Sequence, residues 1–599
     1  MDETPAKTLV KTPKRPSLAR RLRGFVRGDE ISLILLGVVV GAAAGFFAAA
    51  ILRAALFLHE HLYGLTRLSA MDRLASPWQA LIPALGGILV GLSLVLVRRW
   101  RPRRPVDPIE ANALRGGEMS LSDSAVIVAQ TAVSNGFGAS VGLEAAYTQM
   151  GSGFASFLGK RLGLRRADLR TLVGCGAAGA IAAAFSAPLT GAFYAFELVL
   201  GAYTPFGLAP VCAAAVAGAV TARLLGAAPE LVKIPDPALS VGASDAALLL
   251  GLAAACALFG VAIMRCATFV ETLFQRTRLP LFLHPVVGGL IVGALAVFSP
   301  HVLSSGHEAA LELFGEGAPD RGVLAATILA KAAAAAVSVG SSFRGGLFFA
   351  SLYLGALSGW LFSQFAAILL PHVPLDAWTS ALIGMVSLAV AVVGGPLTMS
   401  FLALEATRNL SLTLFVLAAA ALSSLIVRRT FGYSFATWRL HLRGESIRGA
   451  QDIGWMRDLT VGRLMRRDVD CAPVDAPLDA VVARYPLGAA QWIAAVDAAG
   501  AYRGLVFLPD AHLRRVDAGG QTPLDALARL PNVALTPQMN AQAAALLFEQ
   551  AECEALAVLD EGRKVVGLLT EGRLLRRYAE ALDTARRELA GDPGAREAE

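Results

Sequence analysis

From residue 31 nearly to Arg439 the chain is dominated by apolar runs, at 31–57, 78–97, 171–200, 205–225, 245–264, 283–299, 346–370 and 378–427, broken repeatedly by Gly and Pro. Runs of that length suit several membrane-crossing helices of about 20 residues each. The character changes near 449, beyond which short aliphatic stretches mix with charges, Pro and Gly. There Ile493 to Asp497 and Gly504 to Phe507 flank an Ala-Ala-Gly turn, while Ala555 to Leu559 and Val565 to Leu569 flank Asp560-Glu-Gly-Arg-Lys564. A helical pattern follows each pair, which makes two strand-strand-helix units. The pattern predicts a tail at 1–28, a polytopic α-helical membrane domain at 29–448, and an α/β domain at 449–599 whose units cover about 458–516 and 527–582.

Within the apolar region, Pro188-Leu189-Thr190-Gly191-Ala192-Phe193-Tyr194-Ala195-Phe196-Glu197 returns as Pro396-Leu397-Thr398-Met399-Ser400-Phe401-Leu402-Ala403-Leu404-Glu405. A Pro opening an apolar helix and a carboxylate nine residues later are costly in lipid unless protein or water surrounds them, so their duplication predicts a two-half transport architecture with interrupted helices. A second pair, Gly142-Leu143-Glu144-Ala145-Ala146 and Gly346-Leu347-Phe348-Phe349-Ala350, shares a Gly-Leu-x-x-Ala skeleton at nearly the same separation. Each is a Gly-rich break followed by a helix start. Two such N-termini, if they meet, offer unpaired N–H groups and about half a positive charge each, which suits a partly dehydrated anion without trapping it.

Composition agrees with this reading, since 55% of the residues are hydrophobic and 17% charged. The first 28 residues carry eight Lys and Arg between Lys7 and Arg27 without an apolar core, so they read as a cytoplasmic tail rather than a cleavable leader. Arg98 to Arg104 follows two candidate spans and falls on the same side by the positive-inside rule. The net charge of +7 reflects these juxtamembrane clusters, and no nucleic-acid partner is expected. The six cysteines show no CxxC spacing, His59-Glu60-His61 diverges around a helix, and no nucleophile–base pair stands out, so neither a metal centre nor an enzyme is expected.

The C-terminal units, with their entry segment Val461-Gly-Arg-Leu-Met-Arg-Arg-Asp468, resemble a pair of CBS domains. In nucleotide-binding pairs a Thr or Ser ends the second strand and an Asp follows three residues on. Here the first copy keeps only Asp510, while the second keeps Thr570 but has Arg573 at the Asp position. The resemblance leaves open an adenine nucleotide or a ligand-free dimerisation platform; no cofactor is required.

The membrane region resembles the CLC family of chloride channels and proton-coupled chloride transporters over roughly 31–445. The segments that carry the likeness are Gly142 to Ala146 with Gln149 and Gly151, Gly346 to Ala350, Gly395-Pro396-Leu397-Thr398 with Glu405, and Phe431-Gly432-Tyr433-Ser434. The likeness implies a gate at Glu144, whose ionised carboxylate mimics a bound anion and closes the path. It also implies anion binding by Tyr433 through its phenol, by Leu347, and by Phe348 through its backbone N–H. Two departures matter. Pro105 stands where the family carries an anion-binding Ser, with Asp107 nearby, and Leu198 follows Glu197 where proton-coupled members carry the inner acid. Glu197 and Glu405, at one point of both repeats, are expected to hydrogen-bond backbone at helix ends, and Lys331 and Arg265 to snorkel or pair. The chain is thus expected to be a homodimer in a bacterial inner membrane with both termini cytoplasmic. It should pass small anions, chloride foremost, with weak or no proton coupling. An exchanger using another inner proton route and a non-conducting sensor are the competing readings.

Overall fold

The computed structural model describes residues 30–65, 68, 71, 73–100, 105–227, 243–307, 309–310, 320–373, 375–441, 459–488, 490–577 and 580. The basic tail at 1–28, Arg101 to Arg104 and the expected junction near 449 lie outside the described residues. The chain divides into two compact units, Met1–Asp452 and Ile453–Glu599.

In the first unit α1 spans Glu30–Tyr63, α2 Ile82–Trp100, α3 Pro108–Leu114, α4 Leu121–Gly136, α5 Glu144–Leu162, α6 Arg166–Phe185, α7 Pro188–Tyr194 and α8 Pro205–Leu224. The second half supplies α9 at Ala243–Arg276, α10 at His284–Phe298, α11 at Arg321–Gly340, α12 at Phe348–Leu369, α13 at Ala377–Ala389, α14 at Pro396–Thr407, α15 at Leu410–Thr430 and α16 at Phe435–His441. Among the described residues ten helical stretches are long and apolar enough to cross a membrane.

The apolar run 171–200 is two elements. Pro188 lacks the N–H that would continue α6, so the chain leaves that helix through Ser186, at φ 51°, and restarts with Pro188 in the first turn of α7. The second half repeats the break at Gly394, at φ 92°, before Pro396 opens α14. Close helix contacts rest on small residues, because lipid tails give apolar side chains no reason to prefer protein. A Cβ on Gly41 would strike Ala214, one on Gly218 would strike Gly179, and one on Gly355 would strike Gly384. The backbones of α1, α6 and α8, and those of α12 and α13, therefore touch. Lys331 does not snorkel. It is fully buried on α11, and its Nζ donates to the carbonyls of Val302 at 3.1 Å and Ser304 at 2.8 Å. Arg265 lies 5.9 Å from the centre of the Phe431 ring.

The second unit opens with a single turn, α17 at Val461–Leu464, followed by β1 Cys471–Pro473, α18 Leu478–Arg484, β2 Trp492–Val496, β3 Tyr502–Phe507 and α19 Leu508–Ala518. After these come α20 Ala541–Ala551, β4 Ala555–Leu559 and β5 Val565–Thr570. Strand β1 runs parallel to β2, and β2 antiparallel to β3. The second copy has β4 antiparallel to β5, with Leu535 bridged in parallel to Val558 where β1 stands in the first. Both hairpins bulge near the turn, between Ala495 and Val496 and between Val558 and Leu559. The duplication is thus visible in the backbone as well as in the sequence.

Candidate functional site

The two Gly-Leu-x-x-Ala segments meet. Gly142 donates its N–H to the Gly346 carbonyl at 2.9 Å and Gly346 returns the bond at 3.3 Å, an isolated antiparallel bridge between the halves. Helices α5 and α12 start immediately beyond it, with Leu143 and Leu347 as N-caps that offer no side-chain acceptor. The first N–H groups of both helices are left for another partner. The Glu144 carboxylate lies beside them. Its side chain folds back so closely over Gly142 that a Cβ there would collide with the carboxylate, which faces the backbone N–H groups of Glu144 itself and of Phe349 in α12. Glu144 is 7% exposed, and its Oε2 is buried without a hydrogen-bond partner among the described residues. A carboxylate thus occupies the meeting point of the two helix starts.

A cavity of about 230 Å³ adjoins this point and is lined by Pro105, Asp107, Glu144, Thr148, Tyr194, Leu198, Arg344, Leu347, Phe348 and Arg439, among others. Of the residues singled out from sequence, Glu144, Leu347, Phe348 and Pro105 share this lining. Tyr433 is not in it. The chain turns left-handed at Gly432, and the Tyr433 ring packs against Trp438 with centroids 5.5 Å apart, so the following helix α16 presents Phe435 and Arg439 instead. Asp107 is engaged locally as well, accepting the Glu110 N–H at 2.8 Å as the N-cap of α3. The sequence reading missed Tyr194, Arg344 and Arg439. Tyr194 had a signal, because it stands where the second repeat carries Leu402.

The repeat glutamates do something different. Glu197 accepts the Leu397 N–H at 2.9 Å, the Thr398 N–H at 2.7 Å and the Thr398 hydroxyl at 2.6 Å. Glu405 accepts the Leu189 N–H at 2.9 Å, the Thr190 N–H at 2.9 Å and the Thr190 hydroxyl at 2.6 Å. Each repeat caps the helix start of the other, and Phe193 stacks on Phe401 between them at 4.1 Å. The expected role at helix ends is met, with the added feature that the bonds cross between halves.

A family model described as voltage gated chloride channel matches residues 86–428, and one for the CBS domain matches 525–580. The chain belongs to the CLC family. It is 33% identical over 349 residues to a ClcB-like chloride channel protein of Ralstonia nicotianae, covering 57% of this chain and 80% of that one. It is 29% identical over 404 residues to the voltage-gated ClC-type chloride channel ClcB of Escherichia coli, covering 66% and 95%. Among solved structures, a slow cyanobacterial Cl⁻/H⁺ antiporter superposes with a TM-score of 0.60 at 22% identity over 69% of this chain and 97% of that one. A eukaryotic CLC transporter does so with 0.58 at 16% identity over 93% and 99%. This CLC protein is therefore an integral membrane anion channel or transporter rather than an enzyme, with CBS architecture at its C-terminal end.

In the CBS unit, Asp510 lies in the first turn of α19 and is bound by Arg529, Nη2 to Oδ2 at 2.7 Å. Thr570 ends β5, and Arg573, at the position of the missing acid, donates from Nε to the Leu464 carbonyl at 2.7 Å. Arg529 thus engages Asp510, while Arg573 is engaged away from Thr570, at Leu464. Among the described residues no cluster of three or more His, Cys, Asp or Glu is placed to hold a metal ion.

Proposed function

We propose that this CLC protein passes small anions, chloride foremost, along the cavity at the paired helix starts, with Glu144 as a tethered competitor that closes the path when ionised. The observation that carries the reading is the Glu144 carboxylate lying against N–H groups of both α5 and α12. Protonation removes its charge and lets it leave, so flux should rise as pH falls. Leu198 lines the cavity as aliphatic carbon beside Glu197, whose three hydrogen bonds hold it at a helix start. A proton crossing about 30 Å of hydrocarbon needs ionisable or watered stations, and this wall supports weak or absent coupling. The structural neighbours that are antiporters favour the opposite reading, obligate exchange by another route. We further propose a homodimer in a bacterial inner membrane with cytoplasmic termini, in line with the bacterial ClcB relatives.

One measurement separates the readings. In proteoliposomes holding a chloride gradient, the zero-current potential should track the chloride equilibrium potential and move little when a pH gradient is added, and Glu144→Gln should raise flux and abolish its pH response. A large shift with the pH gradient, or uphill proton movement driven by chloride, establishes exchange. Absence of flux from both wild type and Glu144→Gln establishes a non-conducting protein.

A further inference from the structure

Pro105 lines the anion cavity and brings no side-chain donor to it. Tyr194 lines the same cavity, and three of its polar neighbours, the Thr148 side chain and the Asp107 and Glu144 carboxylates, line it too. Tyr194 therefore shares one cavity with Thr148, Asp107 and Glu144. Its place is fixed by packing, since the ring centre lies 6.2 Å from that of Phe348, and by the π turn Ala195–Leu200 that begins at the next residue. Thr148 spends its own hydroxyl proton on the carbonyls of Glu144 at 3.0 Å and Ala145 at 3.2 Å. A hydroxyl has one proton, so the donor that this side of the cavity can still offer is the Tyr194 phenol.

Resting on the anion-path reading above, we propose that Tyr194 is a selectivity-determining residue of this path, supplying from α7 the hydroxyl donor that Pro105 does not supply from the opposite strand of chain. When a chloride or similar small anion enters, the phenol O–H turns to it; when the anion leaves, that bond is lost. No proton is transferred in either step. The second repeat has Leu402 at this position, so the donor is a property of one half only.

The test is chloride titration by calorimetry of the purified full chain in detergent, with flux measured in proteoliposomes. A hydrogen bond to a charged group is strong enough that Tyr194→Phe should weaken chloride binding about tenfold or more, while Tyr433→Phe costs clearly less. Pro105→Ser placed on Tyr194→Phe should recover a substantial part of the loss, because it restores a hydroxyl to the same cavity. Unchanged affinity in Tyr194→Phe overturns the inference. So does a loss that Pro105→Ser does not recover, which would mark a packing defect. If wild type neither binds nor passes chloride, the anion-path reading itself falls; if wild type binds and Tyr194→Phe binds equally well, only the inference falls.

Discussion

Two sets of glutamates in this chain bring their carboxylates to helix N-termini and behave as opposites. Glu197 and Glu405 each take three hydrogen bonds of 2.6–2.9 Å from the opposite repeat, so every oxygen is used and neither side chain can move without stranding two backbone N–H groups. Glu144 stands at the same kind of helix end with one carboxylate oxygen buried and, among the described residues, unbonded. On the proposed reading, the difference separates a clamp from a gate. A carboxylate that satisfies a helix start completely is architecture, whereas one that satisfies it partly can be exchanged for a free anion of similar charge.

The strongest way to break this comparison is to remove both kinds of acid and compare stability. Glu405→Ala or Glu197→Ala leaves two N–H groups and a hydroxyl without their acceptor, and with about 1–3 kcal/mol for each buried group left unmet the total should reach roughly 3 kcal/mol for Glu197→Ala and somewhat less for Glu405→Ala, whose Leu189 N–H partner is exposed. Glu405→Gln keeps one acceptor oxygen and should lose less. Glu144→Gln removes a buried, partly unsatisfied charge and should change stability by no more than about 1 kcal/mol in either direction. Thermal unfolding in detergent, read by size-exclusion chromatography, ranks the four proteins. If Glu144→Gln proves as damaging as Glu405→Ala, Glu144 is architecture too.

How far the sequence reached follows from the same contrast. The Pro-Leu-Thr repeat, the paired Gly-Leu-x-x-Ala starts and the placement of Glu144 were legible because they depend on local chemistry, a missing N–H, a Cβ-free approach, an acid in an apolar stretch. The crossing of the Glu197 and Glu405 bonds was not legible, because the partner lies in the other half of the chain and either half would look the same if it capped itself. The division of 171–200 was legible at Pro188, but the left-handed turn at Ser186 that ends the preceding helix was not. The exchange of Tyr433 for Tyr194 in the lining turns on side-chain direction after a glycine turn and on one residue of a π turn, neither of which a pattern of apolar and polar positions encodes.

The CBS unit sharpens the comparison at a smaller scale. Asp510 carries 2.7 Å of contact to Arg529, but the pair is open to water, where such bridges contribute little. It is therefore available to a competing ligand in a way Glu197 is not. A nucleotide that uses Asp510 must displace Arg529 and finds Arg573 held to Leu464, so binding of ATP to the full chain should be weak, with a dissociation constant of about 1 mM, near −4 kcal/mol. Titration should show saturation that Asp510→Ala reduces. Submillimolar affinity would mean that the arginines serve the ligand, and no saturation at millimolar ATP would leave the scaffold role alone.

The smallest effect expected belongs to Asp497, a carboxylate as fully bonded as the membrane clamps but placed in a solvent-facing hairpin turn. Its Oδ1 accepts the N–H groups of Ala501 at 2.9 Å and Ala499 at 3.0 Å, and Arg503 lies 3.2 Å from Oδ2. The Ala501 N–H first, then that of Ala499 and the Arg503 charge, hold the carboxyl below the usual aspartate range. A carboxyl whose folded value is depressed contributes stability that is present above its unfolded value, near 3.9, and is lost as pH falls through the folded one. Wild-type fragment 449–599 should therefore exceed Asp497→Asn in thermal midpoint by a small margin that is constant above about pH 5 and shrinks toward zero as pH falls below the ordinary aspartate value. Water competes for every one of these bonds, so the margin should be well under that of the membrane glutamates. A margin independent of pH would show that the turn depends on the shape of the side chain and not on its charge.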